Sequence, residues 1–129
     1  MESFTALELG NSSTIACTFE WISEVSYSDG ALQHIPPQKQ NKPLVFIFSD
    51  LNTEEPKIKA VGSGDSLYEA TPVVLANTPE KAVLMELTPM EKNVFVYTIH
   101  KHTGIATWTK QYQWNGPVAT LAMGKCSSN

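Results

Sequence analysis

Apolar and polar positions alternate with a period of two over most of the chain, and no segment carries the sustained 3.6-residue stripe of an amphipathic helix. Near the start, Ile15, Cys17, Phe19 and Trp21 alternate with Thr14, Ala16, Thr18 and Glu20. A strand here is expected to turn the first set toward a core and the second away from it. The last third has the clearest pattern. Val94-Phe95-Val96-Tyr97-Thr98-Ile99 leads through His102-Thr103-Gly104 into Ile105-Ala106-Thr107-Trp108-Thr109-Lys110-Gln111-Tyr112. These are two alternating arms around a tip whose glycine tolerates the left-handed backbone that short hairpin loops need. The pattern predicts a β-hairpin with Phe95, Tyr97 and Ile99 on one face of its first arm and Trp108, Tyr112 and Trp114 on one face of its second. Thr107, Thr109, Gln111 and Gln113 make a polar face opposite, so the rings are expected inside, where burying each contributes roughly 1.5–3 kcal/mol. A bulge at the turn would exchange the two faces.

Turn-forming residues cut the chain into short segments, among them Pro36-Pro37, Pro43, Pro72, Gly104 and Asn115-Gly116-Pro117. Strands are predicted over residues 14–21, 31–35, 44–48, 57–61, 67–75 with a break at Pro72, 82–87, 94–100, 105–114 and 118–126. Short strands at this spacing indicate an all-β fold. It is either an antiparallel, calycin-like barrel or a two-sheet sandwich of about eight strands, built as a single domain over residues 1–129. Thr78-Pro79-Glu80-Lys81 fits the start of one helical turn, while Val83-Leu84-Met85 behind it reads equally well as strand. Residues 38–42 are polar throughout and are the segment expected to be a mobile loop.

With 129 residues and 42% hydrophobic content, the chain can bury one core unaided. Its longest apolar runs, at 44–48 and 82–85, fall far short of the roughly 20 residues a spanning helix requires, so no membrane partner is expected. The acidic N-terminal stretch has neither the basic region nor the apolar core of an export signal. The net charge is −4, and all nine basic residues are lysines scattered along the chain. Arginine is the residue that forks onto phosphates and guanine edges, and nucleic-acid affinity rests on concentrated positive charge, so nucleic acid is excluded as a partner.

Two cysteines stand near opposite ends, Cys17 in the first predicted strand and Cys126 in the last. If bonded, they close a loop that the chain-entropy model values at about 4–5 kcal/mol, and pairing the first and last strands to close a barrel would bring them within reach. The other reading is two buried thiols in a reducing compartment. A disulfide would imply export to the periplasm or beyond, and free thiols a cytoplasmic protein.

The early cysteine, the hairpin Tyr97-Thr98-Ile99-His100-Lys101-His102-Thr103-Gly104 and the closing Met123-Gly124-Lys125-Cys126 together resemble a broad group of small bacterial β-proteins. That group carries a hydrophobic strand ending in a basic residue, x, Thr-Gly, and a terminal Gly-x-Cys. The resemblance implies an exported protein with a disulfide and carries no established activity. This chain departs from the group in having Lys101 where an arginine is usual.

Constellations with chemical potential are few. His100 and His102 would point the same way if the strand continued, but two ligands do not make a metal site, and a third would have to come from His34, a carboxylate or a thiol. No metal and no cofactor is expected. Gly62-Ser63-Gly64-Asp65-Ser66 lacks the following lysine and helix of a phosphate loop and is most simply a turn. Asn11-Ser12-Ser13 spells a glycosylation sequon. The leading expectation is a non-enzymatic module that binds a small apolar ligand through Trp21, Phe46, Tyr97, Trp108 and Tyr112. The alternative for that cluster is an ordinary packed core. A second function reading is a structural or protein-interaction domain acting as a homodimer, with the uncharged residues 118–123 as a candidate free edge. A third is an enzyme whose site is assembled from residues that spacing does not reveal.

Overall fold

The computed structural model describes residues 9–62, 65–88, 93–113 and 115–128. Its strands are β1 (Ile15–Ser28), β2 (Ala31–Lys39), β3 (Val45–Ser49), β4 (Lys57–Gly62), β5 (Asp65–Ala70), β6 (Val73–Asn77), β7 (Lys81–Thr88), β8 (Asn93–His100), β9 (Ile105–Gln113) and β10 (Pro117–Ser128). All pair antiparallel in one sheet of order β5-β4-β3-β1-β10-β9-β8-β7-β6, and β2 pairs with β1. Thus Lys81 begins a strand, not a helical turn.

The sheet is strongly curled. β3 and β8 stand four places apart, about 19 Å in a flat sheet at the usual strand spacing, yet the rings of Phe48 and Tyr97 lie 5.4 Å apart. The predicted break at Pro72 has a larger consequence than an interruption. It separates β5 from β6, which occupy opposite edges of the sheet. The three steps from Ala70 to Val73 reach about 11 Å at most, so the two edges must approach each other there. The resulting half-barrel keeps its core on the concave side, where Ile15, Phe48, Ile58, Leu84, Tyr97 and Ile99 are fully buried.

First and last strands do pair, and Cys17 is bonded to Cys126 directly across that ladder, with their Cα atoms 4.0 Å apart. They meet in the middle of the sheet, however, and do not close a barrel. The open seam lies instead between β5 and β6, which form no ladder among the described residues. Residues 118–123, a candidate edge by their lack of charge, are flanked on both sides, by β1 and β9.

The strand that begins at Ile15 runs seven residues past its expected end at Trp21. Its first part pairs with β3 and its second with β2 through the two-residue turn Asp29-Gly30, whose φ angles of 51° and 78° are those of a hairpin turn of primed type. At the packed end, the fully buried Lys101 donates from Nζ to the carbonyl of Gly10 (2.8 Å) and to Oδ1 of Asn77 (2.7 Å). Asn77 in turn donates to the Leu51 carbonyl (3.0 Å), so one lysine and one amide tie the N-terminal segment, β6 and the β3–β4 turn together.

Candidate functional site

The site is organised by one irregularity in β1. Phe19 stands opposite Gly124 and Trp21 opposite Met123, so a residue is inserted at Glu20 and the faces of the strand exchange. Before the bulge Ile15, Cys17 and Phe19 face the core; beyond it Ile22 and Glu24 do, and Trp21 turns to the convex face, where it is 47% exposed. This corrects the expectation that Trp21 lines the interior. Period-two reading carries a side-chain assignment only as far as the next bulge.

Cross-strand pairing sets out the rest of the concave face. One row runs Tyr97, Trp108, Ala122, Ile22, and the next Phe95, Lys110, Thr120, Glu24. The small Ala122 between Trp108 and Ile22 leaves the large side chains on either side without a bulky neighbour. Beside them opens a crevice of about 150 Å³ lined by Phe19, Ile22, Leu44, Phe46 and Trp108, with Gln40 and Lys42 among its polar lining residues. Its aromatic wall is ordered by edge contacts: Phe19 and Phe46 meet at 5.4 Å, and Phe19 and Trp108 at 6.3 Å. The indole Nε1 of Trp108 is buried and has no hydrogen-bond acceptor among the described residues.

Polar groups further along the same face are paired. Tyr112 Oη donates to Glu24 Oε1 (3.1 Å), as does Thr120 Oγ1 (3.4 Å). Burial, and then the hydrogen bond to Glu24 and its negative charge, push the Tyr112 hydroxyl above its ordinary value of 10.0. Lys110 lies with Nζ 4.4 Å from the centre of the Tyr112 ring and 5.1 Å from that of Phe95. Deeper in, Tyr97 Oη donates to the buried Glu86 (3.0 Å).

Of the five side chains expected to hold a ligand, Phe46 and Trp108 therefore line the crevice, and Tyr97 is packed wholly within the core, 5.8 Å from the Phe46 ring. Tyr112 is on the same face, beyond Lys110, and Trp21 is on the opposite one. Trp114, Ser63 and Gly64 lie outside the described residues. β8 ends at His100, so His102 falls in the turn; both are exposed, as is His34, and no group of three metal-ligating side chains gathers among the described residues. Ile22, Glu24 and Lys110 were not singled out as site residues by sequence: their places follow from the bulge and the register, which leave no signature in composition. Comparison of the chain with protein-family models, with curated proteins and with solved structures found no match.

Proposed function

We propose that this protein is a non-enzymatic binding module whose concave crevice takes a small, largely apolar ligand bearing one hydrogen-bond acceptor. Trp108 carries this reading. A buried donor without an acceptor costs about 1–3 kcal/mol; Nε1 is closed to a water-sized molecule, so a carbonyl or ether oxygen on a ligand would supply the missing partner by shifting the side chains that cover it. Size is compatible with this, because a crevice near 150 Å³ with a mostly apolar wall has room for one benzene-sized ring. The neighbouring carboxylates fit a supporting role more than a catalytic one, since Glu24 and Glu86 each accept a tyrosine hydroxyl.

Acetophenone and ethylbenzene are matched in shape and differ in the acceptor, so they separate the two contributions. Binding followed by thermal shift or calorimetry should show acetophenone the tighter of the pair by about tenfold, and Trp108→Phe should abolish that preference while retaining the apolar term. Failure of both compounds to bind, or an unchanged preference in the variant, contradicts the proposal.

A further inference from the structure

We infer that the convex face of β1, β2 and β10 is the contact surface of a homodimer. Beyond the bulge, Trp21, Val25, Tyr27, Leu32, Leu121 and Met123 all stand on this face, each between 44% and 77% exposed. Pairing makes them continuous: Trp21 is opposite Met123, Tyr27 is opposite Leu32, and Leu121 is opposite Ser23, diagonal to both Trp21 and Val25. Together they present ~700 Å² of surface, more than a monomer ordinarily leaves open and near the ~800 Å² each partner contributes to a stable interface, before any polar rim is added.

Charge and shape favour a second copy as the occupant. The chain carries a net charge of −4, yet the middle of this face, around Ser23, Thr109, Gln111 and Ala119, presents no charged side chain, since Glu24 and Lys110 beside it turn to Tyr112 on the concave side, and the charges of Glu20, Lys39 and Lys125 lie at its Trp21 end. The uncharged middle does not repel its own copy and offers a charged partner nothing complementary. Antiparallel two-fold docking also keeps the two charged Trp21 ends, with Glu20, Lys39 and Lys125, at opposite ends of the interface. Across the middle of this face, Val25 and Leu121 border a groove of about 360 Å³ whose wall also includes Ser23, Thr109, Gln111 and Ala119. The ridge of Trp21 and Met123 on one copy fits the groove of the other in face-to-face sheet packing about 10 Å apart. A lipid surface is disfavoured by the net negative charge of −4.

Sedimentation velocity and native mass spectrometry of the full chain test this independently of the ligand crevice. The expected species is a dimer of two 14.2 kDa protomers, and the double variant Val25→Lys/Leu121→Lys should weaken it about a hundredfold. Tyr27→Glu serves as a second variant if the first fails to fold. Leu87→Lys, at an exposed apolar residue of β7, should leave the dimer intact. A wild-type protein that stays monomeric at about 100 µM overturns the inference. So does a dimer indifferent to the convex-face variants, or a monomer that co-sediments with phosphatidylcholine/phosphatidylglycerol vesicles through these same residues.

Discussion

A methyl group on residue 124 would stand 1.9 Å from the carbonyl oxygen of Thr18 and 2.7 Å from the Cα of Phe19, so only glycine lets β10 approach β1 at the bulge. Because the obstruction is backbone on both sides, Gly124→Ala should destabilise the fold by about 3 kcal/mol or more, measured by urea unfolding; a change below about 1 kcal/mol would mean the bulge is not formed. Tyr112 gives a second test at this scale. Its proton is held more tightly in the folded state than in the unfolded chain, so its contribution to stability is fully present below pH 10 and is lost as pH rises through the elevated folded value. Tyr112→Phe should therefore lose stability less steeply than wild type above pH 10, and parallel alkaline profiles would contradict this. Lys101 behaves in the opposite sense. Burial lowers its value from 10.5, so holding it charged costs stability at neutral pH, a cost offset by its two oxygen acceptors.

Among the elements, the β8–β9 hairpin was the most legible in sequence. Tyr97 pairs with Trp108 and Ile99 with Ala106, on the face that alternation assigned to them. That pattern works because one face meets the core and the other does not, and no bulge interrupts this ladder. β1 shows the opposite case: an inserted residue at Glu20 inverts every later side chain, yet the sequence around it continues to alternate plausibly. The strand expected over residues 31–35 is the start of β2, which runs on to Lys39; all of its residues are exposed, so hydrophobic patterning could not mark its full length, and the Asp29-Gly30 turn before it was not singled out. Spacing also showed that the chain breaks at Pro72 without showing that it changes edges, which depends on the curl of the whole sheet. The disulfide joins β1 and β10 within a ladder of eleven residue pairs, so the strands hold register without it. Cys17→Ala/Cys126→Ala should accordingly fold but lose about 2–4 kcal/mol in denaturant unfolding. Unchanged stability would contradict a bridge that restrains the unfolded chain.

For the molecule as a whole, one curled sheet presents two surfaces of different character. The concave one is aromatic and sorted by small residues on β10, and the convex one carries the exposed apolar side chains of β1, β2 and β10 with charge only at its Trp21 end. Both depend on the bulge, which places Trp108 and Trp21 on opposite sides of the same sheet. The indole N–H resonances of the three tryptophans report on this directly in a two-dimensional ¹H–¹⁵N spectrum, assigned with single Trp→Phe variants. Addition of acetophenone should move the Trp108 indole proton downfield, as expected when a donor gains an acceptor, and leave that of Trp21 in place. A titration that shifts Trp21 and leaves Trp108 unmoved would contradict the account.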